Sequence, residues 1–222
     1  DLIAKTGIDP ADIKAVSATA MREAFVLHDA SGAEIWACAN VDARADAEVH
    51  ALKADHPGLE ADIYARSGQT YALGALPRLL WLRTHMPQVL EQTRTLSMLS
   101  DWVLYRLSGE LTSEPSNAGT TGLISLTDRA PLNDALKTVG LPSDLFARSV
   151  NTGEVVGHVH AAAAQATGLA VGTLVVAGGG DCQTGALGLG VVNEGDCAVL
   201  GGTFWQQVVN VPMTLTDPTM NL

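Results

Sequence analysis

Short apolar runs alternate with amphipathic segments along most of the 222-residue chain. Apolar, β-branched runs bounded by glycine or polar residues are typical of strands, and apolar residues repeated every three or four positions are typical of helices. The sequence therefore predicts strands at residues 14–18, 24–27, 34–39, 155–160, 173–177, 198–200 and 204–210. It predicts helices at residues 43–53, 76–82, 100–107, 133–139 and 161–167. Because hairpin turns also occur, we expect an α/β domain with a mixed sheet flanked by helices.

The helix predicted at residues 76–82 has one clearly apolar face. Leu76, Leu79 and Leu80 share that face, and Arg78 and Arg83 lie off it. The spacing is that of an amphipathic helix that packs its leucines into a core.

The strongest candidate for chemistry lies in residues 173–190, TLVVAGGGDCQTGALGLG. Its apolar start predicts a strand buried on both faces, and Gly178, Gly179 and Gly180 can adopt positive φ and allow a ligand to approach closely. The strand then places Asp181 at the lip of a cleft, before a helix of small residues. Two interpretations stay open, because an aspartate in this position is most often a helix N-cap.

A second candidate turn follows at Gly201-Gly202-Thr203, between two strand-like runs. The unhindered amides and the single hydroxyl of Gly202 and Thr203 suit a turn that faces phosphate oxygens. A plain hairpin turn is the alternative. Neither this turn nor the Asp181 segment matches the common Gly-rich nucleotide motifs.

Composition and charge exclude several classes of protein. A hydrophobic content of 47% with 17% charged residues is enough for a sizeable core in one large or two small domains. The net charge of −11 argues against nucleic acid or an anionic membrane as partner, since both need a basic surface. The three cysteines and six histidines lack the spacing of a zinc site, so we expect no metal site of that kind and reduced thiols in a cytoplasmic protein. No membrane span or signal peptide is expected.

The segment GGGDCQTGALGLGVVNEGDCAVLGGTFW resembles the part of the FGGY carbohydrate kinases in which a glycine-flanked aspartate precedes a helix and a Gly-Thr phosphate turn. Four further stretches are similar to the branch of that family that phosphorylates the quorum-sensing signal 4,5-dihydroxy-2,3-pentanedione. They are AVSATAMREAFVL, IWACANVDARA, SDWVLYRLSGELTSEPSNAGTTGL and LGGTFWQQVVN. The similarity covers most of the chain.

This resemblance implies the ribonuclease-H-like, actin-type fold of the first FGGY domain. Residues 1–222 would form most of that N-terminal domain, without its first Asp-x-Gly-Thr phosphate loop and without the second domain. We therefore expect the segment alone to fold without turning over, because phosphoryl transfer needs groups from both sides of a cleft.

The resemblance also implies ATP-dependent phosphorylation of a primary hydroxyl, with Mg²⁺ as cofactor and Asp181 as general base. Gly202 and Thr203 would contact the phosphates of ATP. Four residues would contact the small hydroxy-carbonyl substrate: Arg22, Glu23, Trp205 and Gln206. Two of them have open alternatives, because Arg22 with Glu23 also fits a surface ion pair and Trp205 also fits a core position.

Two departures from the family pattern bear on the substrate site. Asn40 stands where the family usually has a tryptophan, which leaves the roles of Asp42 and Arg44 in doubt. Pro115, in a predicted binding loop at residues 114–122, stands where the glycerol kinases have a substrate-contacting aromatic residue. A xylulose- or ribulose-type kinase and a non-catalytic ligand-binding module of actin-like fold are the alternatives. A homodimer is a further expectation that sequence does not decide.

Overall fold

The structure is a computed structural model that describes residues 2–201 and 205–220. Its strands are β1 Ala15–Ala20, β2 Phe25–His28, β3 Glu34–Cys38, β4 Thr95–Met98, β5 Thr112–Ser113, β6 Arg148–Ser149, β7 Val155–His158, β8 Leu174–Gly180, β9 Cys197–Gly201 and β10 Trp205–Val209. Its α-helices are α1 Leu2–Thr6, α2 Asp46–Asp55, α3 Leu59–Ser67, α4 Ala75–His85, α5 Pro87–Gln92, α6 Leu99–Ser108, α7 Pro115–Ala118, α8 Asn133–Thr138, α9 Ala161–Thr167 and α10 Asp181–Gly188.

Two three-stranded sheets organise these elements. In the order β1-β8-β7, β1 runs parallel to β8 and β7 runs antiparallel to it, so this sheet is mixed as predicted. The sheet β3-β2-β4 is antiparallel throughout. Helix α6 packs against both β1 and β8, and it connects the two sheets because it follows β4 directly. The α/β fold with flanking helices is thereby confirmed.

The main core surrounds β2 and α4. All four residues of β2 are buried, as expected for the central strand of a sheet covered on its faces. Leu79 and Leu82 of α4 are fully buried against this sheet, and Leu96 of β4 is also fully buried. The prediction of a leucine face on this helix is confirmed.

Arg78 was predicted to lie off the apolar face, but it is not exposed as that position implies. Arg78 is only 2% exposed and lies inside the core, where its guanidinium donates hydrogen bonds to backbone carbonyls of three other residues. Helical spacing indicates on which side of the helix a residue lies. It does not show which carbonyl groups a long arginine side chain can reach.

Residues 114–122 do not form the predicted loop. They form the short helix α7 and a 3₁₀ turn at Gly119–Thr121. The Glu114 carboxylate accepts from the Asn117 backbone amide as an N-cap and from the distant Thr152 hydroxyl, and Pro115 occupies the first helical position.

The start of β8 is also less enclosed than predicted. Leu174 is 36% exposed, whereas Val175 is fully buried, so burial on both faces applies only to the end of the strand. Within the described residues, no helix combines the length and apolar character that crossing a membrane requires.

Candidate active site

The junction between β8 and α10 places Asp181 at the surface. Gly178, Gly179 and Gly180 form the buried end of β8, and none of them has positive φ, so that prediction was wrong. They are needed for close packing instead. A Cβ on Gly178 would lie 1.8 Å from the Ala18 carbonyl oxygen of β1, and one on Gly179 would lie 2.7 Å from the Ser116 hydroxyl.

Asp181 is the first residue of α10, and Gly180 is its N-cap residue. Asp181 is therefore not the N-cap residue itself, and that interpretation was wrong. The carboxylate still accepts a hydrogen bond from the adjacent amide of Cys182 at 2.8 Å, and a negative charge at this end of a helix is favourable. Half of the side chain stays exposed, so the carboxylate remains accessible.

The structure brings Arg22 and Glu23 to Asp181. The Nε atom of Arg22 lies 3.8 Å from the Asp181 Oδ1 atom and 4.0 Å from the Glu23 Oε1 atom. The Arg22 and Glu23 side chains are 24% and 18% exposed, so this pair is largely shielded from solvent rather than an open surface ion pair. Burial raises the pKa of the Glu23 carboxyl, the Asp181 charge raises it further, and the Arg22 and Arg78 guanidinium groups oppose the rise.

The backbone of Glu23 is held in an unusual conformation. Its φ of 62° is rare for a residue with a side chain. The amide of Glu23 donates to the Thr120 hydroxyl at 3.2 Å, and its carbonyl accepts from the Arg78 Nη1 atom at 2.6 Å. Side chains from two distant segments therefore fix this residue.

Hydroxyl groups that sequence reasoning missed support the junction. The Thr19 hydroxyl donates to the Gly179 carbonyl at 3.0 Å and bonds the Thr184 hydroxyl at 2.8 Å. The Ser116 hydroxyl accepts from the Gly180 amide at 3.1 Å and donates to the buried carboxylate of Glu114. Their only sequence signal was their place in small, polar stretches such as SNAGTTG.

The hairpin of β9 and β10 contributes one predicted residue to the neighbourhood of Asp181. The Gln206 side-chain oxygen accepts from the thiol of Cys182, which follows Asp181 directly. Trp205 is 77% exposed and packs its ring on Gly201, so the alternative of a core position for Trp205 is wrong. Among the described residues, no cation–π contact joins the Trp205 ring to the Arg22 guanidinium. The predicted phosphate-binding residues Gly202 and Thr203 lie outside the described residues.

The residues around Asn40 are occupied with one another. The Arg44 Nε atom donates to the Asp42 carboxylate at 2.8 Å, and the Arg44 guanidinium lies 4.8 Å from the centre of the Trp81 ring. Asp42 and Arg44 therefore pair with each other within this segment, and the structure does not bring them to Asp181.

Other cavities lie away from this site. A cleft of about 460 Å³ is lined by residues that include Asp42, Tyr71 and Arg78, but neither Arg22 nor Asp181 lines it. Within residues 2–201 and 205–220, no group of three or more histidine, cysteine or acidic residues is placed to hold a metal ion. Asp181 therefore lies outside this cleft, where β8 of the mixed sheet ends.

Comparison with known proteins adds the family context. Residues 1–188 match the family model described as the N-terminal domain of the FGGY family of carbohydrate kinases. Over 210 residues, the chain is 56% identical to the autoinducer-2 kinase of Yersinia pestis bv. Antiqua (strain Angola). That match covers 94% of this chain and 40% of the relative, so the chain spans 40% of the length of the curated relatives it matches.

Two solved structures have the same fold. The ligand-bound xylulose kinase from Lactobacillus acidophilus superimposes with a TM-score of 0.88 at 19% identity, covering 98% of this chain and 44% of the other. The xylulose kinase from Rhodospirillum rubrum superimposes with a TM-score of 0.84 at 27% identity, covering 92% and 42%.

Proposed function

The chain belongs to the FGGY family of carbohydrate kinases, and we propose that it provides the catalytic base and the acceptor site of an ATP-dependent kinase. In this proposal residues 1–222 are most of the N-terminal domain of a two-domain enzyme. The enzyme transfers the γ-phosphoryl group of ATP to a primary hydroxyl of a small hydroxy-carbonyl compound.

The observation that carries the proposal is the accessible carboxylate of Asp181 beside Arg22 and Glu23. A hydroxyl group is a poor nucleophile, and a carboxylate within hydrogen-bond reach orients it and accepts its proton. As the bond from the acceptor oxygen to the γ-phosphorus forms, the bond from that phosphorus to the β-phosphate oxygen breaks and ADP leaves. The proton of the acceptor hydroxyl passes to Asp181.

Arg22 and Glu23 provide complementary polar groups for the acceptor. The Arg22 guanidinium can donate to a carbonyl or hydroxyl oxygen, and the Glu23 carboxylate can accept from an adjacent hydroxyl. Gln206 extends this polar surface from the hairpin, and the exposed ring of Trp205 would cover the carbon chain of the acceptor.

The proposed reaction uses ATP with Mg²⁺. Gly202 and Thr203 would supply amides and a hydroxyl to the phosphates. Mg²⁺ is usually held by one or two carboxylates together with substrate phosphates rather than by a protein cage, and the exposed carboxylate of Asp181 fits such a contact. Bound in this way, the ion neutralises the charge that develops on the transferred phosphoryl group.

Autoinducer-2, 4,5-dihydroxy-2,3-pentanedione, is the acceptor that we favour, because the relative at 56% identity is named autoinducer-2 kinase. The enzyme would then process a quorum-sensing signal in the cytoplasm. A xylulose- or ribulose-type acceptor is the second candidate, supported by the fold shared with two xylulose kinases.

An acceptor panel tests the proposal. The full-length product of the gene is incubated with γ-labelled ATP and either 4,5-dihydroxy-2,3-pentanedione, xylulose, ribulose or glycerol. We expect preferred transfer to the first compound by the full-length protein and no transfer by residues 1–222 alone. Preferred transfer to xylulose or ribulose selects the second candidate, and tight acceptor binding without any transfer identifies a non-catalytic module.

A further inference from the structure

Arg78 is a buried cation that connects three separate parts of the chain. Its Nη1 atom donates to the Glu23 carbonyl at 2.6 Å, its Nη2 atom to the Asn40 carbonyl at 2.9 Å, and its Nε atom to the Asp42 carbonyl at 3.1 Å. A fourth, longer contact reaches the Cys38 sulfur at 3.6 Å. One planar guanidinium therefore joins the Arg22-Glu23 corner to the segment that follows β3.

An apolar residue in this position would leave these three carbonyl groups without the donors that Arg78 supplies. Removing a charge from water is expensive unless its hydrogen-bonding groups are satisfied, and a buried ion is weak evidence for stability alone. The fork of an arginine can bond several carbonyl groups in fixed directions, which lysine cannot do. The arrangement of Arg78 therefore specifies a geometry more than it adds stability.

The geometry that Arg78 specifies is that of Glu23. A residue other than glycine at φ 62° carries strain, and such strain persists only where the surroundings impose it. Here the Arg78 guanidinium holds the carbonyl of Glu23 and the Thr120 hydroxyl holds its amide. Arg78 and Thr120 thus form hydrogen bonds with the two peptide groups that flank Glu23, which lies beside Asp181.

We propose that Arg78 is the positioning residue of the acceptor site, with Thr120 as its partner on the opposite side of Glu23. Arg78 contacts no substrate in this arrangement. It holds the Glu23 carboxylate and the Arg22 guanidinium in register with Asp181, and it ties that corner to the Asn40–Asp42 segment. The inference rests on the proposed function, since it assigns Arg22 and Glu23 to acceptor binding.

Loss of the Arg78 fork should affect the acceptor rather than ATP. Without it, Glu23 can relax toward negative φ, and its carboxylate moves relative to Asp181. A misplacement of about 1 Å at a positioned group can cost up to roughly a hundredfold in rate. We therefore expect Arg78→Lys in the full-length protein to raise the acceptor KM roughly tenfold or more, with the KM for ATP nearly unchanged.

Arg83→Lys is the matched control. Arg83 lies on the same helix and its Nη1 atom donates to the Val139 carbonyl at 2.6 Å, far from Glu23 in the contact network. Losing this similar bond should leave both KM values at wild-type levels. Thr120→Val, which keeps the side-chain shape, removes the other contact to Glu23 and should raise the acceptor KM in the same direction if Arg78→Lys fails to fold.

Chemical rescue and a crystal structure complete the test. Added guanidinium ion should restore acceptor affinity in Arg78→Ala, because it can occupy the vacated site, and should leave Arg83→Lys unchanged. Equal losses of acceptor and ATP affinity, or a folded Arg78→Lys with a normal acceptor KM, overturn the inference. If the wild type phosphorylates no acceptor, the proposed function fails, and the structure of Arg78→Lys then decides the inference by whether Glu23 keeps its positive φ.

Discussion

The β2–α4 core and the β8–α10 junction of the same chain are built in opposite ways. In the core, β2 is buried along its whole length and α4 presents a row of buried leucines. At the junction, only Cys182 and Ala186 of α10 are buried, and Leu187 and Leu189 are 58% and 65% exposed. The first region is held by apolar burial and the second by a small number of polar contacts.

This difference separates stability from chemistry. Apolar burial is non-directional and contributes most of the folding free energy, so the apolar side chains of the core hold the domain together without specifying the position of a reacting group, and Arg78 is the polar exception. The junction uses directional bonds from Thr19 and Ser116, and the neighbouring Glu23 is held by a bond to Thr120; such bonds specify positions and bury little surface. Substitutions in the two regions should therefore have different readouts.

Asp181→Asn should have the largest effect on chemistry. Asparagine has the shape of aspartate and can still accept from the Cys182 amide, but it cannot take the proton of the acceptor. In the full-length enzyme we expect turnover to fall roughly a hundredfold to ten-thousandfold, with the melting temperature close to that of wild type. Steady-state kinetics and a thermal melt check this, and near-normal turnover would remove Asp181 from the role of base.

Leu79→Ala should have the largest effect on stability. Leu79 is fully buried in the core, and truncating such a leucine costs about 2–5 kcal/mol because a cavity remains. Turnover per folded molecule should stay at the wild-type level, since Leu79 lies on no element of the junction. Denaturant unfolding and active-site titration measure the two quantities, and a loss of turnover in the fully folded variant would erase the separation of the regions.

Asp101 should make stability depend on pH. Burial raises the pKa of Asp101 to about 7, and the nearby Glu114 charge adds to the rise. The folded state thus holds a proton that the unfolded state releases near pH 4, so stability should fall as pH rises from about 4 to about 7 and level off above.

Asp101→Asn removes this ionisation and is the control for it. The variant should lose that pH dependence. At pH 8 its free energy of unfolding should exceed that of wild type by on the order of a few kcal/mol, so it should unfold at a higher denaturant concentration. If the free energy of unfolding of the two proteins changes with pH in the same way between pH 5 and pH 8, Asp101 titrates normally in the folded state.

Trp205→Ala should have the smallest effect. The ring is largely exposed, so its removal should change the melting temperature little. If the ring covers the acceptor, its contact is worth about 0.5–1.5 kcal/mol, and the acceptor KM should rise roughly two- to tenfold with the KM for ATP unchanged. A selective loss of ATP affinity would assign Trp205 to the nucleotide instead.

Much of the fold could be predicted from the sequence, because the periodicity of apolar residues indicates directly which side chains are buried. Local pattern predicted the mixed sheet, the leucine face of α4 and strands β1 to β3 and β7 to β10, but it missed β4, β5 and β6. The family followed from motifs around Asp181. The helix at Pro115–Ala118 was missed because its cap is a buried glutamate whose carboxylate also binds the Thr152 hydroxyl, far along the chain. Local reading does not detect a cap stabilised from a distance.

The same distinction between local pattern and long-range contacts applies to the candidate site. By itself the sequence singled out Asp181 as a candidate from the glycine-flanked strand before it, and the resemblance to the FGGY kinases added Arg22 and Glu23 as candidates. Only the tertiary structure decided that Arg22 stands between two carboxylates, that the three glycines serve close packing, and that Arg78 and Thr120 hold Glu23 from opposite sides. The reason is that a hydrogen bond between residues 55 or 97 positions apart depends on where the packed core places their backbones, and no local pattern encodes that placement.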